Sequence, residues 1–445
     1  MENSIIKTTD SLKNPKVFIE THGCKLNMAD SQMLAKKFVE QGYSVVSSDD
    51  VVPNVFVLNS CTVTHVADRK ARNALRKARK KFPEALIVAA GCYVERDENS
   101  VNNLDAVDIS IGNTSKDSIV DRVNEYLKIE VSWDDQVDSF ENLDLLGRSR
   151  ASLKIQEGCN QVCSYCIIPK VRGREKSIPV ANLIDSANEL YNRGVSEIIL
   201  TGTQLGNYGF DLHNFSLTKM LDDFLNNTSI PRIRVSSLQP LEINEDLMKI
   251  WEESKGRLCP HFHLPLQSGS TRILKEMRRK YSKDDFLDVV KLIRSSKIKT
   301  NITTDVIVGF PGETQNDHLE TLDVMKEVEF LDVHVFPFSK RPGTSAWYLN
   351  DHVNPSVKKN RTIQLNSYAS KIKYKVMKSS IGSVRPVLWE GEERKVGFTD
   401  NYLRVRNYQG SNNKLDFRIN NTNEIENSRV IKFVDGELYV QKEKK

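Results

Sequence analysis

Cys159, Cys163 and Cys166 lie within one short stretch, EGCNQVCSYCIIP, at residues 157–169. Thiolates spaced C-x-x-x-C-x-x-C can grip a metal centre, and no fourth Cys or His stands nearby. A structural zinc site usually takes four ligands, often from two C-x-x-C halves, whereas three thiolates on a four-iron cluster leave one iron open. The donor set therefore favours an iron–sulfur cluster over zinc. Three further cysteines, Cys24, Cys61 and Cys92, each follow a short apolar run, two of them directly after Gly in HGC and AGC. A lone cysteine there would read as a small buried hydrophobe, but the threefold repetition reads as ligation. Cys259 has no companions and reads as structural.

The elements that must carry these thiols follow from periodicity. KVFIE, NVFVLNS and ALIVAAG are apolar runs of strand length, each followed by a helical pattern, which is the grammar of a parallel sheet covered on both faces. Ligands of such sheets gather beyond the carboxyl ends of the strands, so Cys24, Cys61 and Cys92 are expected to converge on one site. This α/β domain is assigned to residues 15–130, and the acidic stretch 131–146, including WDDQVDSFENLDLL, to a linker. Residues 147–377 then repeat strand and helix six times, with SLKIQ, SEIILTG, RIRVSS, HFHLPLQ, TTDVIVG and DVHVFPF as strands. That repetition predicts a partial (β/α)6 barrel with function at the strands' C-terminal ends, and the Cys159 loop follows its first strand. Short strands and turns over 378–442 predict a small all-β barrel, reached through a basic helix, KKNRTIQLNSYASKIKYKVMK.

Within the barrel, period two places His261, His263 and Gln267 on one face of HFHLPLQ, and Arg232 and Arg234 on the lumen face of RIRVSS, where an anionic partner is expected. TGTQLG and DVIVGFPGE supply glycine turns at which backbone can approach a nucleoside. The chain has 445 residues, 39% hydrophobic and 28% charged, with mean hydropathy -0.45. Its net charge of +5 excludes little. Seven cysteines, an odd number in a long chain, argue against a disulfide framework. No apolar run reaches the roughly 20 residues of a spanning helix, and MENSIIKTTD lacks the pattern of a secretion signal. A cytoplasmic protein with no membrane partner is expected.

With Tyr165 as the aromatic residue of C-x-x-x-C-x-aromatic-C, the central loop resembles the signature of the radical S-adenosylmethionine (SAM) superfamily. The resemblance implies that SAM chelates the open iron and is cleaved there to a 5′-deoxyadenosyl radical, with an external electron donor. It also implies SAM contacts at Tyr165, Gly202, Thr203, Gln267 and Asp305. ETHGCKLNMADSQ, LNSCTVT, AAGCYVER and GCNQVCSYCIIPKVRGR, with the C-terminal barrel, resemble the methylthiotransferases over nearly the whole chain. That family implies two 4Fe-4S clusters, one at Cys159, Cys163 and Cys166 and an auxiliary one at Cys24, Cys61 and Cys92, and a C-terminal TRAM-type RNA-binding module.

GCKLN, TGTQLGNYGFD, HFHLPLQSGS and VHVFPFSKRPGTSAW are most similar to the branch that inserts a methylthio group at carbon 2 of N6-threonylcarbamoyladenosine, next to the tRNA anticodon. The chain departs from the family with His22 before GC, where a bulky apolar or aromatic residue is common. Competing readings are the isopentenyladenosine branch, the ribosomal-protein aspartate branch and a non-catalytic RNA-binding iron–sulfur protein. Charge independently points to nucleic acid. ADRKARNALRKARKK carries eight basic residues from Arg69 to Lys81 opposite an apolar stripe of Ala67, Ala71, Ala74, Ala78 and Phe82. Tyr402, Arg404, Arg406 and Tyr408 alternate along one expected strand face, as a stacking and phosphate surface would.

Overall fold

VFVLNS and LIVAAG, apolar at every position but the last few, need cover on both faces, and each becomes a central strand of a parallel sheet. The computed structural model describes residues 14–46, 51–128, 149–390, 395–408 and 424–443. The expected linker at 131–146 lies outside them. The chain forms two compact units, one of Met1–Leu146 with Lys170–Gly173, the other of Gly147–Pro169 with Arg174–Lys445.

The first unit holds five parallel strands, β1 (Lys16–Thr21), β2 (Ser44–Val46), β3 (Val55–Ser60), β4 (Leu86–Gly91) and β5 (Ile109–Ile111), in the order β2-β1-β3-β4-β5. β2 and β5, only three residues each, had no legible period in the sequence. Helices α1 (Lys25–Glu40), α2 (His65–Lys81), α3 (Cys92–Arg96), α4 (Glu98–Asn102) and α5 (Ile119–Leu127) cover it. Two cores result, one built on Phe38, Val55, Val57 and Val88, the other on Phe56, Leu58, Leu75 and Ile87, as alternation along a strand sends successive side chains to opposite faces. The buried stripe of α2 is Ala71, Leu75 and Ala78, continued by Phe82; Ala67 and Ala74 only flank it.

In the second unit, β6 (Arg150–Lys154) leads to the cysteine loop, a short pairing of β7 (Gln156–Glu157) with β8 (Lys176–Ser177), and the start of α6 (Ile168–Val171), whose Lys170 and Val171 belong to the first unit. Alternation then runs through α7 (Val180–Asn192), β9 (Glu197–Thr201), α8 (Leu217–Asn227), β10 (Arg232–Val235), α9 (Glu245–Glu253) and β11 (His261–His263). It continues through α10 (Thr271–Glu276), α11 (Lys283–Ser295), β12 (Asn301–Val308), α12 (Gln315–Val328) and β13 (Asp332–Pro337). The six strands form two parallel sheets, β10-β9-β6 and β11-β12-β13. Single bridges from Ile233 to Leu258 and from Ser237 to His263 join them, so the barrel is partial. β11 ends at His263, and Gln267 has a left-handed backbone (φ 62°); the period-two face expected to run from His261 to Gln267 therefore breaks midway.

Helix α13 (Pro355–Ser379) leads to a closed barrel, β14 (Val384–Glu390), β15 (Val396–Thr399), β16 (Arg404–Asn407), β17 (Ile425–Val434) and β18 (Glu437–Lys442), in the order β14-β15-β16-β18-β17. Val387, Trp389, Val405, Val430 and Leu438 fill it. The segment from β15 to β16 is held by residues of β9 and β10. Arg232 and Arg234 both pair with Glu197, and donate onward to the carbonyls of Phe398 (3.1 Å) and Asp400 (3.1 Å). The anionic partner expected for these arginines is thus Glu197, and their remaining donors clamp the small barrel. Tyr402 is not on a strand face: its left-handed backbone (φ 74°) sets the ring 4.8 Å from the Arg234 guanidinium and 4.5 Å from the His261 ring. Among the described residues, no helix is long and apolar enough to cross a membrane.

Candidate metal centres and cofactor site

In the first unit the thiols sit where adjacent strands end. Cys24 is the N-cap residue of α1 just beyond β1, Cys61 follows the last residue of β3, and Cys92 follows the last of β4 and opens α3. Convergence is enforced by glycine. Gly23 (φ 135°) passes so close to the next strand end that a Cβ on it would stand 2.8 Å from Cys61 Cβ and 3.0 Å from Asn27 Cγ. Burial pushes the Cys61 thiol up to about 12, and charge on Cys24 or Cys92 would push it further, as expected of three neighbouring sulfurs. Asn113 Nδ2 donates to Cys92 Sγ (3.2 Å) and the Val63 amide to Cys61 Sγ (3.5 Å), while Cys24 Sγ donates to Asn27 Oδ1 (3.3 Å). His22, the departure from the family pattern, turns its ring to Glu20 Oε1 (2.6 Å).

Substituting Gly23 with alanine is expected to cost about 1–3 kcal/mol, because a left-handed residue must gain a side chain where Cys61 already stands. Urea unfolding measures the loss.

In the second unit, Cys159, Cys163 and Cys166 share the loop after β6 and β7. The loop is pinned by Ser164, whose amide and hydroxyl donate to the carbonyls of Met277 (3.0 Å) and Glu276 (2.7 Å), and by Glu175, which accepts from the Asn160 amide (3.0 Å) and from Asn207 Nδ2 (3.1 Å). Burial pushes Cys159 up to about 11 and Cys166 up to about 12. A bound metal overrides such shifts by deprotonating its thiols outright. Each sulfur is reached by a donor: the Gln161 amide at Cys159 (3.4 Å), Arg279 Nη1 at Cys163 (3.3 Å) and the Ile168 amide at Cys166. Among the described residues, no three His, Cys, Asp or Glu side chains gather at a point suited to a single metal ion. Thiolates around one zinc must lie about 2.3 Å from it, whereas ligands of a four-iron cube stand further apart. Six free cysteines in two separate trios, each lined by hydrogen-bond donors, fit two such clusters.

Of the expected SAM contacts, Tyr165 lies on this loop, Gly202 and Thr203 meet Gln156 at its start, and Gln267 and Asp305 are hydrogen-bonded to each other. Tyr165 packs on Met277, Phe310 and Phe338. At the end of β9, Gly202 is crowded by Gln156, whose Oε1 accepts from the amides of Thr203 (2.9 Å) and Gln204 (2.9 Å); glycine is thus required there by the chain itself. Among the described residues the buried Thr203 hydroxyl has no hydrogen-bond partner, so it is a polar atom left for a ligand. Gln267 donates its amide to Asp305 O (2.8 Å). The Asp305 carboxylate is held by His263 Nε2 (3.2 Å) and His334 Nδ1 (3.2 Å), and these bonds outweigh burial to keep it well below the usual carboxylate range. The same carboxylate raises His334 above its ordinary value. His261 and His263 both meet the Thr303 hydroxyl (3.0 Å each).

Several groups escaped sequence reasoning. Arg279 sits in MRRKY, one cation among several, and nothing local marks it as the one that reaches Cys163. Glu242 is held by the amides of Gln239 (2.8 Å) and Gly206 (3.2 Å) and by Gln204, and burial pushes it up to about 7. Asp30 is fully buried between Lys116 (2.7 Å) and Arg172 (3.0 Å) in the first unit. Cys259, read from the sequence as structural, is buried in the core.

Residues 153–325 match the Radical SAM superfamily model, and residues 16–112 match an uncharacterized protein family, UPF0004. A threonylcarbamoyladenosine tRNA methylthiotransferase of Aquifex aeolicus is 35% identical over 88% of this chain and 96% of its own length. The Bacillus subtilis protein of that name is 34% identical over 87% and 89%. A tRNA-2-methylthio-N(6)-dimethylallyladenosine synthase of Clostridium tetani is 35% identical over 88% and 90%. Among solved structures, the radical SAM methyltransferase TsrM of Kitasatospora setae shares the fold at 13% identity, with a TM-score of 0.55 over 75% of this chain and 77% of that one. With a radical SAM fold around Cys159, Cys163 and Cys166, a second cysteine trio at the strand ends of the preceding unit, and relatives above 30% identity across almost their full length, this chain belongs to the methylthiotransferase family of radical SAM enzymes.

Proposed function

We propose that the protein inserts a methylthio group at carbon 2 of N6-threonylcarbamoyladenosine beside the anticodon of tRNA, with two 4Fe-4S clusters and SAM. The observation that carries the reading is the pair of cysteine trios, each at the C-terminal ends of parallel strands and each receiving hydrogen bonds at sulfur. The relatives above are named for this nucleoside or for its dimethylallyl counterpart at nearly equal identity, and the motifs GCKLN and TGTQLGNYGFD favour the former. When bound, one cluster supplies the electron for SAM cleavage and the other the position at which sulfur is delivered.

The chain's own residues bind and orient. Cys159, Cys163 and Cys166 hold one cluster, and Cys24, Cys61 and Cys92 the auxiliary one. Thr203 would offer to SAM a hydroxyl that has no hydrogen-bond partner among the described residues, and Tyr165, Gly202, Gln267 and Asp305 are the other residues assigned to it. Two imidazoles keep Asp305 ionised, so it can accept from a ribose hydroxyl without changing its proton. For tRNA, α2 exposes Arg69, Lys70, Arg76, Lys77, Lys80 and Lys81, while Arg79 is spent on Asp108 and Arg72 on Tyr93. A groove of about 430 Å³ beside it is lined by Lys70, Lys77 and Lys81, cations suited to phosphate, with Glu20 and His22 also on its wall. Support from the small barrel is narrower than the sequence implied, since Tyr402 is inside and Arg404 and Arg406 both pair with Glu437.

Nucleoside mass spectrometry of tRNA from a strain lacking the gene tests the proposal. The 2-methylthio derivative of N6-threonylcarbamoyladenosine is expected to vanish and the unmodified parent to accumulate. Loss of the dimethylallyl derivative instead would move the protein to the sister branch, and an unchanged profile would remove tRNA as substrate.

A further inference from the structure

Arg279 follows α10 and turns its guanidinium back onto the cysteine loop. Its three hydrogen-bond partners are Cys163 Sγ for Nη1 (3.3 Å), the Gln239 Oε1 for Nη2 (2.8 Å) and the Tyr281 hydroxyl for Nε (3.3 Å), and its plane lies 4.9 Å from the Tyr281 ring. Each partner is itself held. The Tyr281 hydroxyl donates to Pro265 O (2.5 Å), and Gln239 Nε2 donates to Gln204, which in turn donates to Glu242. Two side-chain amides are therefore locked in direction, and the fork cannot swing away from the sulfur without breaking the series. Among the described residues no carboxylate lies within ion-pair distance of Arg279: Glu242, at the far end of the series, is occupied by two backbone amides and Gln204. A partly buried cation with only neutral acceptors, one of them a thiol sulfur, lacks a counter-charge.

We infer that the counter-charge is the iron–sulfur cluster itself, and that Arg279 is a tuning residue that raises this cluster's reduction potential. Three thiolates around a 4Fe-4S core give a net anion, and taking up an electron makes it more negative. A fixed cation bonded to one ligand sulfur stabilises the reduced form more than the oxidised one, by charge and by the N–H···S bond. The electron comes from the external reductant that radical SAM chemistry already requires, and the cluster accepts it; no bond is made or broken at Arg279. The corresponding donors to the first trio are neutral, Asn113 and the Val63 amide, so the two sites differ in this respect.

The inference rests on a cluster at Cys159, Cys163 and Cys166, and the test separates the two. The full chain with Cys24, Cys61 and Cys92 changed to alanine, so that one cluster contributes, is reconstituted anaerobically and titrated with redox dyes while the reduced signal is followed by electron paramagnetic resonance. At equal iron content, R279M is expected to be reduced tenfold less readily, about 59 mV lower for a one-electron couple, and R279K, which keeps the charge, to recover most of that shift. Gln239→Leu leaves the charge but removes the carbonyl that aims it, and is expected to give about a threefold loss, which serves if R279M holds no iron. A potential unmoved in R279M, or in Q239L where R279M is empty, overturns the role of Arg279 alone. A parent chain that takes up no cluster overturns the iron–sulfur reading with it.

Discussion

A chain carrying alanine at Cys159, Cys163 and Cys166 is expected to release no 5′-deoxyadenosine from SAM under reducing, anaerobic conditions, while the corresponding change at Cys24, Cys61 and Cys92 is expected to keep SAM cleavage and lose the methylthio product. The asymmetry follows from placement. The loop of Cys159, Cys163 and Cys166 adjoins Gln156, which holds the end of β9 where the Thr203 hydroxyl awaits a partner, and Arg279 reaches Cys163; the trio of Cys24, Cys61 and Cys92 is built into a different unit, on strands β1, β3 and β4. Removing all three ligands of either trio removes the only thiolates available there, since the seventh cysteine, Cys259, is buried in the core. Chromatography of 5′-deoxyadenosine and mass spectrometry of tRNA nucleosides, run on both variants, check the two halves separately. Equal loss of 5′-deoxyadenosine in both variants would contradict a division of labour.

The second large effect is on stability. Changing Glu197 to alanine is expected to cost about 3–5 kcal/mol, the range for breaking a buried ion pair by removing one partner. Glu197 is fully buried at the start of β9 with Arg232 and Arg234 on it, and without its carboxylate two buried guanidiniums would keep only carbonyl partners. The damage should extend to the small barrel, because the same guanidiniums hold the Phe398–Asp400 turn. The pH dependence has a definite sign. Burial alone would raise the Glu197 carboxyl, but Arg234 and Arg232 hold it at about 2, below its ordinary 4.5. Its contribution is therefore fully present above the ordinary value and lost as pH falls from about 4.5 toward about 2. Urea unfolding at neutral pH measures the cost, and a repeat near pH 3 should show a smaller gap between E197A and the native chain. An equal gap at both would mean that the packing of the side chain, not its charge, matters.

What could be read from the sequence was set by local rules. C-x-x-x-C-x-x-C is a ligand spacing carried on one loop, and it needs no fold to be recognised. The strand-then-helix rhythm is likewise local, since a side chain's face depends on its neighbours along the chain. That is why α7, α8, α9, α11 and α12, the sixfold alternation and the placement of Cys24, Cys61 and Cys92 at strand ends were all legible. Partner choice was not. Period two placed Arg232 and Arg234 on one face, but which carboxylate met them depended on β9 lying beside β10. Tyr402, Arg404, Arg406 and Tyr408 read as one strand face; Arg404, Arg406 and Tyr408 do stand outward on or next to β16, but a left-handed turn takes Tyr402 off the strand and both arginines meet Glu437 on β18. The Cys163–Arg279 contact spans 116 residues, and nothing in MRRKY distinguishes the arginine that makes it. Chemistry carried by spacing survives in one dimension, whereas the pairing of charges is a matter of which strands become neighbours, and that is decided only by folding.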